Sequence, residues 1–302
     1  MSGFVFLTLL CLGSARADER VVVENKDLSI LVGESHLSSA EYIERIFPLT
    51  KEDVENILGW KLLSKPVVIL VGDREVFERM SGSPYVAAYA VPEKHLIVMS
   101  LSRASSEPYF FNATFKHELC HLVLHDHIKD SLLPRWLDEG VCQWVSGSLG
   151  EILLGDGTGA ANRIDISRHA IPLDRLALTF PGDKHSLSLA YEESRSFVEY
   201  ISAQHGPEAL LSILNHLKDG NEIDQAVLKS LSKSLDTLEK EWLDSVRSRN
   251  VWLIWISQYL YEILFTAAAL LTVAAFIKVT FKKRRYIEED EEGDNAENRD
   301  ED

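Results

Sequence analysis

A histidine pair with a glutamate between its members lies near the middle of the chain, in the stretch HELCHLVLHDH of residues 117–127. On a helix, side chains at positions i and i+4 share one face, so His117 and His121 can offer two imidazole nitrogens to one metal ion. Glu118 lies about 100° around the helix, close enough to reach a water molecule at that ion. The HExxH spacing is typical of catalytic zinc, but it constrains only three positions and also occurs by chance. A third ligand and an open position are still required.

The identity of the third ligand separates the classes of zinc site. His127 follows His117 at the spacing of the metzincin pattern HExxHxxGxxH. That pattern needs glycine where this chain has Leu124, because leucine enters the left-handed turn only at a steric cost. It also needs a methionine downstream, and every methionine of this sequence lies upstream. We therefore predict that His127 is not a ligand and that His125 flanks the C-terminal end of the helix, where positive charge is favoured.

A second candidate for the third ligand is Glu139, in the stretch PRWLDEGVCQW. Pro134 favours a helix start, so residues 136–145 are predicted to form a helix that folds back onto the first one. An isolated glutamate on a helix commonly lies on a solvated face, whereas the apolar neighbours of Glu139 indicate burial. These neighbours are Trp136, Leu137, Val141 and Trp144. We interpret Asp138 as a first-turn acid that the helix dipole favours.

The pairing of HELCH with a downstream WLDEG resembles the gluzincin metallopeptidases, and among them the peptidase MA-like domains. Seventeen residues separate His121 from Glu139. The likeness covers roughly residues 60–205, and the two flanking segments GSPYVAAYAVPEKHLIVMSL and LAYEESRSFVEYI resemble the family more loosely. Cys120 and Cys142 depart from the family, which usually has a small residue or threonine at the first position and often alanine at the second.

The resemblance implies an α+β, gluzincin-like zinc peptidase domain, with a small sheet followed by helices. It implies that His117, His121 and Glu139 hold one Zn²⁺ per chain, and that Glu118 is the general base acting on a peptide or protein substrate. Tyr191 is a candidate to stabilise the oxyanion, since gluzincins carry a tyrosine on a later helix. The alternative for this residue is a tyrosine that only packs between helices.

The elements that must position these residues follow from the periodicity of the sequence. Strands are predicted in VVVENKDLSILV, KPVVILVG and HLIVMSL, the last at a sheet edge where an extended substrate can pair. The segment LSSAEYIERIFPLTKEDVENILGW is predicted to be helical. Further helices are predicted over residues 112–126, 134–147, 188–204, 207–218, 222–230 and 233–248. Strands first and helices later indicate an α+β domain with a helical second part.

Both ends of the chain carry patterns typical of membrane targeting. Phe4–Leu12 is an apolar run before a small-x-small site, which predicts a signal peptide over residues 1–17, although the positive n-region is absent. Residues 253–281 are predicted to form one transmembrane helix with aromatic residues at one end. The tail, residues 282–302, starts with KKRR, and the positive-inside rule places it in the cytoplasm. The zinc peptidase domain, residues 18–250, is therefore predicted to lie outside the cytoplasm in a single-pass membrane protein.

Charge and cysteine content limit the partners and the covalent links of the chain. The net charge is −16, and residues 287–302 hold ten acids and one arginine, a net −9. No strongly basic surface is indicated, so we predict no nucleic acid partner. Cleavage of the signal peptide would leave Cys120 and Cys142, which would form a disulfide in an oxidising compartment or remain two buried thiols.

Together these patterns predict a membrane-anchored zinc-dependent metallopeptidase that hydrolyses peptide bonds outside the cytoplasm. The alternative is a non-catalytic, membrane-tethered binding or assembly module that retains a zinc peptidase fold; the intact Glu118 argues against it. For residues 253–281 the alternative is an apolar core helix. An intramembrane protease is excluded, because KHELCH has charged neighbours and lies far from the one later span.

Overall fold

The computed structural model describes residues 20–104, 108–147, 166 and 168–297. Within these residues a five-stranded mixed sheet precedes a set of helices, which confirms the predicted α+β class. The strands are β1 (Arg20–Glu24), β2 (Ser29–Gly33), β3 (Val67–Val71), β4 (Ala88–Val91) and β5 (Leu96–Ser100). They lie in the order β1-β2-β3-β5-β4, where β2, β3 and β5 are parallel and β1 and β4 run antiparallel to their neighbours. The predicted signal peptide lies outside the described residues.

Most helix ends lie within a few residues of the predicted ones. They are α1 (Leu37–Leu58), α2 (Arg74–Ser81), α3 (Leu101–Ala104), α4 (Pro108–His127), α5 (Arg135–Ser146), α6 (Lys184–His205), α7 (Pro207–Lys218), α8 (Ile223–Leu231) and α9 (Leu235–Glu297). The sequence analysis missed α2, although Asp73 gives it a normal start by accepting a hydrogen bond from the Val76 N–H at 2.9 Å. The helix predicted over 233–248 and the predicted membrane span are both part of α9.

The prediction that HLIVMSL forms a sheet edge is wrong. β5 pairs with β3 on one side and with β4 on the other. Its side chains from Ile97 to Ser100 are all buried, which explains the nearly continuous apolar run, since strands covered on both faces need no alternation. The edge on this side is β4, a four-residue strand whose sequence AYAV is too short to be recognised by its periodicity.

The helices and the sheet enclose one large hydrophobic core. α1 buries Ala40, Ile43, Phe47, Val54 and Leu58, at intervals of three, four or seven residues that keep one face of the helix in the core. A run of aromatic rings joins the helices near the chemistry. The ring of Phe197 in α6 lies 5.2 Å from that of Trp136 in α5 and 5.3 Å from that of Trp242 in α9, in edge-on arrangements.

The chain divides into two compact units, Met1–Val246 and Arg247–Asp302. The second unit is helical through Glu297. Within it, Tyr259–Val279 has the length and composition needed to cross a membrane, and its side chains are exposed. A long, exposed apolar helix is expected of a segment whose surroundings are lipid rather than protein or water.

Candidate metal centre

Two helices carry the residues predicted to bind the metal. α4 runs through the core, and every residue from His117 to Leu124 is buried. α5 begins directly after Pro134, and its first two N–H groups donate at 2.8 and 3.2 Å to the carbonyl oxygens of Ala177 and Leu176. These bonds satisfy amides that a helix start leaves unpaired. They fix the point at which α5 starts beside α4.

Gly140 sets how closely α5 approaches α6. A Cβ at this position would lie 2.7 Å from Val198 Cγ2 and closer still to the backbone oxygen of Ser194. Packed protein interiors do not accommodate such overlaps without moving the backbone, so a larger residue would push the two helices apart. The glycine of WLDEG therefore determines the depth at which Glu139, the residue before it, enters the core.

His117, His121 and Glu139 meet between α4 and α5. The two histidine Nε2 atoms lie 3.1 Å apart. Glu139 Oε2 lies 3.4 Å from Nε2 of His117 and 3.6 Å from Nε2 of His121. All three residues are buried. The three atoms form a nearly equilateral triangle, so one ion near its centre can contact all three.

The triangle fits a tetrahedral zinc ion. Bonds of about 2.0–2.1 Å at tetrahedral angles separate neighbouring ligand atoms by about 3.3 Å, within the range of the three distances here. Glu139 Oε2 is buried and has no hydrogen-bond partner among the described residues. A buried carboxylate oxygen without a partner is costly unless a cation binds it. Two imidazoles and one carboxylate are also a donor set of catalytic zinc sites that keep the fourth position open.

Asp138 orients one of the two histidines. His121 Nδ1 lies 2.7 Å from Asp138 Oδ1, and His125 Nε2 lies 3.2 Å from Asp138 Oδ2. Burial alone would raise the pKa of Asp138, but His121 and His125 together hold it well below its usual value, so the group is a carboxylate and only accepts. His121 therefore carries its proton on Nδ1, which leaves the Nε2 lone pair for a metal. The sequence analysis treated Asp138 as a simple first-turn acid and missed this role.

The buried carboxylates make the cluster electrostatically suited to a cation. Burial and the neighbouring carboxylates of Glu139 and Asp138 together raise the pKa of Glu118 to about 8, against the opposing effect of His121. For Glu139, burial also acts to raise the pKa, but the imidazoles of His117 and His121, whose Nε2 atoms lie 3.4 and 3.6 Å from Oε2, lower it to about 2. A dication within the triangle would stabilise all of these carboxylates in their charged form.

Tyr191 contacts Oε1 of Glu139, the carboxylate oxygen that is not directed at the histidines. Its hydroxyl donates a hydrogen bond to Glu139 Oε1 at 3.2 Å, and the Arg135 guanidinium donates one to the tyrosine oxygen. Burial raises the pKa of Tyr191 well above its usual value, so the hydroxyl keeps its proton. The structure brings the predicted Tyr191 into the cluster, in contact with a candidate ligand. Arg135, which the sequence analysis did not single out, joins it there.

The two cysteines that the sequence left open are buried free thiols. They lie near each other, since the Cys142 thiol interacts with that of Cys120, and Cys142 Sγ lies 3.5 Å from His121 Nδ1. Burial raises the pKa of Cys142 well above its usual value. Both are therefore small apolar packing residues between α4 and α5 in this structure.

The other two histidines of the stretch contact different groups. His127 Nε2 lies 2.8 Å from the carbonyl oxygen of Lys61, and its ring lies 5.1 Å from that of Trp60. His125 lies in the last turn of α4, as predicted, with Nδ1 2.6 Å from Asp130 Oδ1. Its second contact, with Asp138, ties it to the cluster in a way that its position in the sequence did not reveal.

The candidate ligands and Glu118 line a cleft of about 560 Å³. Its lining includes residues 81–86, residues of the edge strand β4, the first turns of α5, residues 180–182 and residues near the start of α6. The Ala90 N–H donates a hydrogen bond to the Glu118 carboxylate, so the edge strand contacts the residue predicted to be the base. The edge strand and Glu118 therefore line the same cleft.

A comparison with family models identifies the family of the chain. A family model described as the Peptidase MA superfamily matches residues 82–248, which is more than half of the chain. No curated protein matches the sequence. The matched region begins later and ends later than the resemblance read from the motifs, and it contains β4, α4, α5 and α6. The chain belongs to the Peptidase MA superfamily.

Proposed function

We propose that this protein is a membrane-anchored, zinc-dependent metallopeptidase that hydrolyses peptide bonds outside the cytoplasm. The observation that carries the proposal is the buried triangle of His117, His121 and Glu139 with its one unpartnered carboxylate oxygen, beside Glu118 and open to a cleft. A purely structural zinc site is closed by four protein ligands. Three ligands beside a cleft instead favour catalysis.

His117, His121 and Glu139 would hold the ion. When bound, Zn²⁺ supplies Lewis-acid polarisation of the scissile carbonyl and of a water molecule. Glu118 accepts a proton from the attacking water and delivers it to the nitrogen of the leaving amine. Its burial in the wall of the cleft and its hydrogen bond from the Ala90 N–H hold the carboxylate in one orientation for both transfers.

Tyr191 is proposed to assist in one of two ways. Its hydroxyl lies in the lining of the cleft, where a donor can stabilise the negative charge that develops on the carbonyl oxygen. Its present hydrogen bond to Glu139 Oε1 supports a role in orienting that ligand instead. Replacement by phenylalanine separates them: loss of turnover with full zinc content indicates oxyanion stabilisation, and loss of zinc indicates ligand orientation.

The substrate is proposed to be an extended peptide or protein segment that pairs with β4. Among the described strands, β4 pairs with β5 alone, and it lies in the wall of the cleft. An edge strand offers unpaired backbone groups to an added strand, whatever the side chains of that strand are. The sequence analysis proposed that an extended substrate pairs with HLIVMSL. We assign this pairing to β4 instead.

The proposed location rests on the C-terminal helix. Tyr259–Val279 can span a membrane by length and composition, and KKRR follows it at residues 282–285. By the positive-inside rule the basic end faces the cytoplasm, which leaves the peptidase domain outside. A protease added to intact cells or spheroplasts should digest residues 18–250 and spare an epitope tag placed after Asp302. Digestion of the tag with protection of the domain would reverse the orientation.

The competing proposal is a membrane-tethered binding or assembly module, and the role of Glu118 distinguishes the two. Glu118 is not a ligand in the proposed site, so Glu118→Gln should retain zinc and fold while losing peptide hydrolysis. Cells that lack the gene are complemented with this variant, its amount and zinc content having been measured. Failure to rescue, with rescue by the wild type, supports the peptidase. Full rescue shows that the cellular role is binding.

A further inference from the structure

The guanidinium of Arg135 lies in the candidate cleft. Among the described residues that line it, Arg135 is the only lysine or arginine. Its side chain is 43% exposed, whereas that of Glu139 is 9% exposed and that of Asp138 is 15% exposed. Arg135 is therefore the charged side chain near the candidate ligands that a bound substrate can most readily contact.

The guanidinium is fixed in place by three contacts. It lies over the Phe180 ring with 4.8 Å between Cζ and the ring centroid, and Nη2 lies 3.8 Å from Glu139 Oε1. It also donates a hydrogen bond to the Tyr191 hydroxyl. These contacts use only part of the five N–H donors of an arginine. A cation held this way loses little conformational freedom when it binds a further group.

The three acidic side chains among the described residues of the cleft already have a contact or a proposed role. Both oxygens of Asp138 contact histidines, at 2.7 and 3.2 Å. Glu139 has Oε2 turned to the histidines and accepts from Tyr191 at Oε1. Glu118 serves as the proposed base. Among the described residues that line the cleft, no carboxylate is left for a substrate ammonium group, and the exposed guanidinium would repel one.

We propose that Arg135 makes the enzyme select substrates that carry a carboxylate close to the scissile bond. This proposal rests on the peptidase function. The planar guanidinium pairs with a carboxylate through two parallel hydrogen bonds, and the Phe180 ring keeps its plane fixed. Two sources supply the same chemistry: the C-terminal carboxylate of a peptide, and the side chain of an aspartate or glutamate. Either one places its negative charge opposite Arg135 while the peptide backbone lies along β4.

The test uses zinc-loaded, full-length protein in detergent and two matched sets of peptides. In the first set, each short peptide ends either in a free carboxylate or in an amide. In the second set, all peptides are amidated and one residue near the cleaved bond is either glutamate or glutamine. The variants are Arg135→Gln, Arg135→Lys and, as a matched control, Arg175→Gln, which changes an exposed arginine outside the cleft.

For wild type, kcat/KM should favour the carboxylate member of one set by about 10- to 100-fold, the usual effect of a hydrogen-bonded charge pair. The set that shows the preference identifies the source of the carboxylate. Arg135→Gln should bring the ratio close to one, Arg135→Lys should retain part of it, and Arg175→Gln should leave it unchanged. An equal loss on both members in Arg135→Gln would overturn the proposal, because it shows that Arg135 only positions Glu139 and Tyr191.

A binding measurement separates failure of this inference from failure of the peptidase proposal. Calorimetry with the same peptides and zinc-loaded Glu118→Gln protein measures the carboxylate preference without turnover. If wild type cleaves none of the peptides but binding favours the carboxylate through Arg135, the peptidase proposal fails and carboxylate recognition stands. If neither binding nor turnover depends on the carboxylate, the inference about Arg135 is wrong whatever the activity.

Discussion

The two ends of the HELCHLVLHDH stretch differ in what their histidines contact, although all four lie on α4. At the inner end, His117 and His121 are buried and their Nε2 atoms lie 3.1 Å apart with Glu139 beside them. At the outer end, His125 contacts Asp130 and Asp138, and His127 contacts a backbone carbonyl and a tryptophan ring. One helix therefore carries a candidate metal site and an ordinary helix end within eleven residues.

The difference comes from what packs against each end. A spacing of four places two histidines on one face, and His121 and His125 have that spacing as well as His117 and His121. Only the inner pair has Glu139 opposite it, because α5 approaches α4 closely there. The outer end instead meets the segment around Lys61 and the loop that carries Asp130. The spacing of four residues allows a histidine pair to bind one metal ion. Whether the pair can do so depends on the residue that packs opposite it, which is Glu139 at the inner end.

The largest expected effect is loss of the metal at the inner end and its retention at the outer end. Wild-type protein should bind about one zinc ion per chain, whereas His117→Ala should lose it on dialysis because only two ligands remain. His127→Ala is the matched control on the same helix, and it should keep the wild-type zinc content. Metal analysis of the purified full-length proteins measures both. Zinc loss in His127→Ala with retention in Glu139→Gln would contradict the assignment of the ligands.

The inner end could be predicted from sequence because its signals are local. His117, Glu118 and His121 follow from the spacing within one helix, and Glu139 follows from its apolar neighbours and from the resemblance of WLDEG to a known pattern. The α+β class follows in the same way from strands that precede helices. Each of these inferences uses residues close together in the chain.

A second, smaller effect tests whether the inner end contains a base as well as ligands. Glu118→Gln should lower kcat/KM for peptide hydrolysis by at least about 100-fold, because the amide cannot accept the proton of water. Zinc content should stay at the wild-type level, since Glu118 is not one of the three residues whose ligand atoms converge. Peptide turnover and metal content are measured on the same preparation. Activity within a few-fold of wild type would show that Glu118 does not move the proton.

What the sequence could not provide are contacts between distant segments. The bond of Asp138 to His121 depends on how deeply α5 packs, which Gly140 fixes through its contact with α6. The cleft wall formed by β4 depends on the strand order, in which β5 lies between β3 and β4. Neither the helix approach nor the strand order leaves a periodic pattern. For the same reason Arg135 could not be recognised as a residue of the cleft.

A third effect concerns Asp138, which contacts one histidine from each end. Asp138→Asn should weaken zinc binding by about 10- to 100-fold, because the neutral amide no longer fixes the proton of His121 on Nδ1. Competition with a zinc chelator of known affinity measures the change. Asp130→Asn is the control, since Asp130 is 61% exposed and its carboxylate contacts the outer His125 rather than His121. Equal losses in the two variants would show that the whole chain of contacts, rather than the bond to His121, holds the site together.

The smallest effect is expected at the outer end, and it tests whether His127 is only a packing residue. His127→Ala removes a 2.8 Å hydrogen bond to the Lys61 carbonyl oxygen and the contact with the Trp60 ring. A net hydrogen bond contributes about 1 kcal/mol, and this one is exposed, so the variant should lose about 1 kcal/mol of folding free energy. For a domain of this size the loss lowers Tm by about 2–4 °C. Thermal unfolding of the zinc-loaded protein and of the protein stripped with a chelator measures it in both states. Because His127 is not a ligand in the proposed site, the decrease in Tm should be the same with and without zinc. A decrease seen only in the zinc-loaded protein would mean that the outer end supports the metal, and the contrast between the two ends of α4 would not hold.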